Sequence, residues 1–186
     1  MFHIIVGNIV DDEILKGKDA FVLPTNPKMR YGGGVCGAAF RKAGVDKLEK
    51  YCEDTFNVGY NPDQQANDMK PTEIRITPGF GLGMDIIFAQ SAKYDYFSKS
   101  SYEDLLKILI ETFRNVLKTV KEKEYKSVLL PSLGTGIYGY KHEDVAKEVV
   151  PLIKHFTEKN KDIDIWLCLF DDETAEIYRN NLLKIK

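Results

Sequence analysis

Residues 20–44, "AFVLPTNPKMRYGGGVCGAAFRKAG", run from an apolar segment through a polar turn and three glycines into a helical pattern. A helix N-terminus presents unpaired N–H groups and the positive end of its dipole, and glycines in front of it let a phosphate approach the backbone. Gly32, Gly33 and Gly34 therefore fit an anion cradle. They equally fit a tight turn in which glycine only supplies a positive φ.

Two side chains beside this glycine run can carry chemistry. Asn26 ends the apolar segment, and its amide both donates and accepts, so it can hold a sugar hydroxyl; an Asn before a Pro is also an ordinary turn former. Cys36 falls in the first turn of the predicted helix, where the dipole would lower the pKa of its thiol and make it reactive. The alternative is a buried cysteine that packs as a small apolar group.

A second glycine loop occupies residues 127–140, "SVLLPSLGTGIYGY", and spells G-x-G-x-x-G between a predicted strand and a predicted helix. Alone, this motif indicates the nucleotide-binding turn of an NAD-dependent oxidoreductase. Its late position speaks against that, and the next acidic strand end, Asp171, follows about 32 residues later instead of about 20. Ligands of open α/β sheets bind at the carboxyl ends of the strands, so the two loops together predict a pyrophosphate clamped between them.

Short apolar runs alternate with longer amphipathic stretches along the chain, which predicts an α/β fold with a sheet covered by helices. Ser101 and Asp104 form a loose capping pair before the clearest helix. The polar segment 57–71 is predicted to be a loop. Strands are predicted at 3–6, 19–24, 72–77, 85–90, 127–132 and 163–170, and helices at 35–43, 45–54, 101–121, 142–158 and 172–183.

Composition limits the function classes. The chain is 44% hydrophobic, and its longest apolar runs are too short to cross a bilayer, so we expect one globular domain over residues 1–186 and no membrane partner. The net charge of −2 predicts no nucleic-acid partner. Three cysteines without metal-ligand spacing, and an N-terminus without a leader pattern, predict a cytoplasmic protein with no metal and no cofactor. The oligomeric state is left open.

Four stretches together resemble the macro domain family of ADP-ribose-binding modules. They are "GNI" at 7–9, "LPTN" at 23–26, "GGGV" at 32–35 and "GIYG" at 136–139, and the last three occur in the family's order. The resemblance implies a three-layer α/β/α domain with a mixed central sheet. Residues 57–100 carry little of it.

The resemblance also implies a set of ligand-binding residues. Asn26 would hold the distal ribose and serve as the catalytic residue, and the residues of the two glycine loops would lie along the ribose and the pyrophosphate. Phe170 would either face adenine or pack as a core residue at a strand end. The implied set is Asn8, Ile9, Asn26, Gly32, Gly33, Gly34, Val35, Cys36, Ser132, Leu133, Gly134, Thr135, Gly136, Ile137, Tyr138 and Phe170.

Three departures from the family pattern bear on activity. Asn8 stands where relatives have the acid that binds the adenine amino group, so that hydrogen bond would lack its charge. Cys36 and Phe40 stand where the hydrolase branch has Asp and His. The resemblance therefore implies ADP-ribose binding, with slow hydrolysis of ADP-ribosyl esters or O-acetyl-ADP-ribose by a water that Asn26 and the substrate's phosphate position. The alternative is a non-catalytic reader of ADP-ribosylated proteins.

Overall fold

The computed structural model describes residues 1–59, 61–94 and 99–185 and shows a six-stranded sheet. The strands are β1 (Phe2–Val6), β2 (Ala20–Pro24), β3 (Ile74–Thr77), β4 (Asp85–Ala89), β5 (Ser127–Pro131) and β6 (Asp164–Leu169). Their order is β1-β6-β5-β2-β4-β3, and β3 pairs antiparallel with β4 while the remaining pairs are parallel. The mixed central sheet is therefore confirmed, and each predicted strand end lies within two residues of the observed one.

The helices follow the predicted pattern closely. They are α1 (Asp12–Leu15), α2 (Gly34–Ala43), α3 (Val45–Phe56), α4 (Tyr102–Glu122), α5 (His142–Lys159) and α6 (Asp172–Leu183). The capping pair before α4 is confirmed, because the Ser101 Oγ accepts from the Asp104 amide at 3.1 Å. Among the helices that the structure describes, none combines the length and the apolar character that a membrane span requires.

Alternation along β2 explains the three layers. Phe21 and Leu23 belong to the buried cluster that includes the inner faces of α2 and α3. Ala20 and Val22 point to the other face, into the cluster formed with α4, α5 and α6. Since successive side chains of a strand point to opposite faces, the central strand is buried by helices on both sides. The predicted α/β/α arrangement is confirmed.

The sequence analysis fails to predict the short helical turns. The segment 57–71, predicted to be a loop, contains a 3-10 helix at Pro62–Asn67, and position 60 of the segment lies outside the described residues. The Asn61 Oδ1 accepts from the Asp63 amide at 3.0 Å, and a proline follows at the first helical position, which together favour a helical start. The short helix α1 and a 3-10 turn at Phe80–Leu82 were also not predicted.

Candidate functional site

A cavity of about 340 Å³ opens at the carboxyl ends of β2, β4 and β5. Both glycine loops border it, as the strand-end rule predicted. The predicted ligand-binding residues that line it are Asn26, Gly32, Gly33, Gly34, Val35, Cys36, Ser132, Leu133, Gly134, Gly136, Ile137 and Tyr138.

The N-terminus of α2 faces this cavity. Gly34 begins the helix with a φ of +57°, a conformation that favours glycine, and Gly33 caps the helix without a side-chain hydrogen bond. The N-cap therefore offers no side-chain acceptor to the first amides of α2, and those amides are suited to an anion. The Ile137 Cδ1 lies 3.4 Å from where a Cβ at position 33 would stand, so the two loops approach each other here.

The amide of Asn26 holds the turn that leads from β2 to the glycines. Its Nδ2 donates to the Arg30 carbonyl at 2.7 Å, and its Oδ1 accepts from the amides of Lys28 at 3.1 Å and Arg30 at 3.2 Å. These bonds use the two lone pairs of the oxygen and one of the two amide hydrogens. The turn-forming interpretation of Asn26 is confirmed, and one N–H remains for a ligand.

Cys36 is a buried thiol, and its surroundings disfavour the thiolate. Its side chain is 8% exposed, and its Sγ lies 3.6 Å from the Arg30 carbonyl oxygen. Burial raises the pKa of the Cys36 thiol to about 12, against a smaller lowering by the Gly32 backbone. Desolvation is the largest effect on the pKa of this thiol, which favours the small-apolar interpretation.

The hydroxyls of the second loop have different partners. The Thr135 Oγ1 donates to the Ser132 carbonyl at 3.1 Å, which braces the loop, and Thr135 is absent from the described cavity lining. The Tyr138 hydroxyl donates to the Thr25 carbonyl at 3.1 Å and ties the loop to the end of β2. The Ser132 Oγ contacts the hydroxyl of Tyr178 on α6. Of the three hydroxyls, only that of Thr135 bonds to a backbone group within its own turn.

The second glycine loop does not open a helix. Helix α5 begins at His142, three residues after the last glycine of the motif, with Lys141 as its N-cap. The amides that this loop offers to a ligand therefore come from the turn itself. The arrangement differs from a dinucleotide-binding turn, in which the glycines lead directly into the helix.

Asn8, Ile9 and Phe170 lie outside the described lining of the cavity. The Gly7 amide donates to the Leu169 carbonyl at 2.9 Å, which places the ends of β1 and β6 side by side. Asn8 and Phe170, the residues that follow, therefore share one edge of the sheet. Ile9 is buried in the core beneath α2.

Asn8 and Phe170 are nevertheless accessible. Phe170 is 84% exposed, so its interpretation as a core residue is wrong. The Asn8 Nδ2 donates to the Asp11 Oδ1 at 2.9 Å, and its Oδ1 accepts weakly from the Val10 amide at 3.4 Å. The remaining lone pair of Asn8 can still accept a hydrogen bond from a ligand.

Four lining residues were not predicted: Pro24, Thr25, Ala89 and Ser91. They stand at the ends of β2 and β4, so the strand-end rule that located the glycine loops also points to them. Pro24 and Thr25 were missed although they lie in the stretch "LPTN", because only the terminal Asn26 of that stretch was given a ligand role; Ala89 and Ser91 were missed because the sequence after β4 departs from the family pattern. In the part of the chain that the structure describes, no group of three or more His, Cys, Asp or Glu residues is placed to hold a metal ion.

Comparison with known proteins gives relatives that share nearly the whole chain. An O-acetyl-ADP-ribose deacetylase of Klebsiella pneumoniae (strain 342) is 28% identical over 182 residues, which cover 97% of this chain and 95% of the relative. An Oceanobacillus iheyensis macrodomain solved with ADP has a TM-score of 0.81 at 28% identity, and the match covers 97% of this chain and 88% of that one. A variant of that macrodomain solved with ADPR has a TM-score of 0.81 at 27% identity over 97% and 90% of the two chains.

The match to a family model agrees with these relatives. The model described as Macro domain matches residues 22–149, a span that includes the Asn26 turn, the triple glycine and the second glycine loop. The chain belongs to the macro domain family.

Proposed function

We propose that this chain binds ADP-ribose and slowly hydrolyses O-acetyl-ADP-ribose or ADP-ribosyl esters. The observation that carries the proposal is the cavity between the start of α2 and the loop 132–138, where two glycine-rich segments face each other. Relatives named O-acetyl-ADP-ribose deacetylase support the reaction class, and macrodomains solved with ADP and ADPR support the ligand.

In the proposed complex the pyrophosphate lies between the amides at the start of α2 and those of the loop 132–138. The free N–H of Asn26 donates to a hydroxyl of the distal ribose. Adenine extends toward the edge shared by Asn8 and Phe170, where the aromatic ring offers a stacking surface. The Asn8 oxygen accepts from the adenine amino group without the help of a charge.

The cavity wall supplies no general base among the described residues. Among the described residues that line the cavity, none carries a carboxylate or an imidazole. Burial raises the pKa of the Cys36 thiol and of the Tyr138 hydroxyl, which also border the cavity. Both groups therefore hold their protons at neutral pH. A water molecule held by the substrate's own phosphate would have to attack the ester carbonyl and pass its proton to that phosphate.

In that step a bond forms between the water oxygen and the acyl carbon, and the bond from the acyl carbon to the ribose oxygen breaks. The ribose oxygen leaves with a proton, and the products are a carboxylic acid and ADP-ribose. A positioned acid or base typically contributes about 10²- to 10⁴-fold in rate. A site without one is expected to be slower by a factor in that range, which is why we propose slow turnover.

The same lack of a base favours one alternative, a reader that binds ADP-ribosylated proteins without turning them over. The two functions share the ligand and differ only in the chemical step. Calorimetric titration with ADP-ribose tests the shared part, with NAD as the competing ligand; a preference for NAD together with hydride transfer would instead establish an oxidoreductase.

Assays of release from O-acetyl-ADP-ribose and from mono-ADP-ribosylated protein, run in parallel, then test the chemical step. Turnover of either substrate above the rate without protein supports the hydrolase. Binding without turnover of either assigns the reader function, and absence of ADP-ribose binding contradicts both.

A further inference from the structure

A chain of three polar side chains leads from the cavity wall into the helical layer on one face of the sheet. Ser132 lines the cavity, and its Oγ is in hydrogen-bond contact with the hydroxyl of Tyr178 on α6. The same hydroxyl lies 3.3 Å from the Nδ1 of His142, the first residue of α5, whose ring meets the tyrosine ring edge-on. Tyr178 is fully buried, so its hydroxyl exchanges hydrogen bonds with these two neighbours and not with solvent.

The single hydrogen of the tyrosine hydroxyl gives this chain two possible directions. If Tyr178 donates to the His142 Nδ1, it accepts the hydrogen of Ser132, and the serine presents only lone pairs to the cavity. If the His142 Nδ1 carries a hydrogen and donates it to Tyr178, then Tyr178 donates to Ser132. The serine hydrogen is then free to point into the cavity, where it can be donated to a phosphate oxygen.

The protonation state of His142 restricts the choice. Neutral imidazole permits both directions, because either ring nitrogen can carry its one hydrogen. Imidazolium carries a hydrogen on both nitrogens and permits only the direction in which Ser132 donates to the cavity. No proton has to travel along the chain for this; the hydroxyls only rotate.

We propose that Ser132, Tyr178 and His142 form a hydrogen-bond relay in which protonation of His142 turns Ser132 into a donor for an anionic group bound in the cavity. This inference rests on the proposed function in taking the pyrophosphate of ADP-ribose as that group. His142 is then a positioning residue, because it acts on the ligand through Tyr178 and Ser132. By reciprocity, an anion that accepts from Ser132 favours protonated His142.

The groups around His142 determine the pH at which its ring takes up a proton. The charged and titratable groups placed against it are Glu143 on α5, Tyr178 on α6 and Asp171, the N-cap of α6. Burial lowers the pKa of the His142 ring, and the two carboxylates partly oppose that shift. Its place at the N-terminus of α5 acts in the same direction as burial, since the helix dipole disfavours a cation there. The ring is therefore mainly neutral at neutral pH and takes up its proton as the pH falls or as an anion binds.

The test follows the titration of His142 by NMR between about pH 5 and 8, with and without saturating ADP-ribose. We expect the midpoint for His142 to rise by about half to one pH unit when ADP-ribose binds, and the affinity to be about three- to tenfold higher below the midpoint than above it. The exposed His155 on the same helix serves as the internal reference. In Tyr178→Phe, which keeps the ring and removes the hydroxyl, and in Ser132→Ala, the ligand-induced rise should disappear.

Different results would contradict the relay and the proposed function. If ADP-ribose binds and the His142 midpoint stays unchanged, or rises equally in Tyr178→Phe, the relay is overturned, since a direct charge effect would not need the tyrosine hydroxyl. If ADP-ribose does not bind, the proposed function fails. Sulfate, whose charge is constant over this pH range, then replaces ADP-ribose as the probe. If sulfate raises the His142 midpoint more in wild type than in Tyr178→Phe, the relay is supported. If the midpoint rises equally in both proteins, or in neither, the relay is overturned.

Discussion

Asn26 and Arg30 hold each other through a pair of hydrogen bonds, in which the Asn26 Nδ2 donates to the Arg30 carbonyl at 2.7 Å and the Arg30 amide donates to the Asn26 Oδ1 at 3.2 Å. The side chain proposed to hold the distal ribose therefore also fixes the turn that carries the chain to the triple glycine. Replacing Asn26 would remove the proposed ligand contact and would also loosen one wall of the cavity.

We expect Asn26→Ala to weaken ADP-ribose binding by about 1 kcal/mol or more, roughly fivefold, because a hydrogen bond is lost and its partner is left unpaired. Isothermal calorimetry measures the affinity, and urea unfolding reports the cost to the turn. Asn160→Ala is the matched control, since the Asn160 side chain also anchors backbone, at the C-terminus of α5. Unchanged affinity in Asn26→Ala would contradict the ribose assignment.

Cys36→Asp should raise the rate of O-acetyl-ADP-ribose hydrolysis about tenfold or more if the missing acid limits turnover. Burial at this position would raise the pKa of the new carboxyl group, as it raises that of the thiol. The carboxylate form, which is the base, then exists only above that raised pKa, so the gain should grow as the pH increases.

Cys36→Asn, similar in size and without a charge, separates the base from a change of shape and should show no gain. If Cys36→Asp and Cys36→Asn turn over at the same rate, the site does not depend on an acid at this position.

Thiol alkylation provides a direct test of the interpretation of Cys36. Burial raises the pKa of the Cys36 and Cys52 thiols to about 12 and that of Cys168 to about 11, so the thiolate forms are scarce at neutral and mildly alkaline pH. The native protein should react slowly with iodoacetamide, and only unfolding should expose fast-reacting thiols. A fast phase in the native protein that is lost in Cys36→Ser would show an activated thiolate after all.

Phe170→Ala should weaken ADP-ribose binding while leaving stability nearly unchanged. The side chain is 84% exposed, so little burial is lost on truncation, whereas stacking on a base is worth about 1 to 3 kcal/mol. Ribose 5-phosphate, which lacks adenine, should bind wild type and variant equally. Leu183→Ala, at an 82% exposed position near the end of α6, is the control for loss of a surface apolar group. If Phe170→Ala and wild type bind ADP-ribose with equal affinity, the assignment of the Phe170 ring to the adenine site is wrong.

The positions of the strands and the place of the cavity could be predicted because they follow from repeated local rules. Apolar runs alternate with amphipathic ones along the whole chain, and glycine loops follow the strands that became β2 and β5. Parallel strands bring their carboxyl ends to one edge, so the two loops had to meet. The short helices were missed because one or two helical turns leave no periodic pattern; among those that the structure describes, only the Pro62–Asn67 turn has a local signal, the Asn61 side chain that caps it.

Side-chain partners were harder to predict, because they depend on contacts between distant segments. Tyr138 bonds to Thr25, a residue 113 positions away, and Ser132 bonds to Tyr178, 46 positions away. For Cys36 the sequence offered two opposite effects, burial and the helix dipole, and their balance depends on how deeply the thiol lies. The sequence thus identifies which residues border the cavity more reliably than it identifies what each side chain does there.

Gly134 and Gly136 lie two residues apart in the second glycine loop but differ in their backbone conformation and in the space around them. Gly134 has a φ of +79°, and a Cβ there would lie 2.8 Å from the Tyr140 Cδ2 and 3.0 Å from the Leu109 Cδ2. Gly136 has no neighbouring atom within 4 Å of a built Cβ among the described residues, and its φ lies outside the left-handed range.

We expect Gly134→Ala to lower the free energy of unfolding by about 2 kcal/mol, since the left-handed conformation costs about 1 to 2 kcal/mol for alanine and the contact with buried side chains adds to it. Gly136→Ala should stay within about 0.5 kcal/mol of wild type. Urea unfolding of both variants, with equal slopes against denaturant, measures the difference. Equal stabilities would mean that the loop can adopt another backbone conformation at Gly134, and that the cavity wall it forms is not held rigidly by that residue.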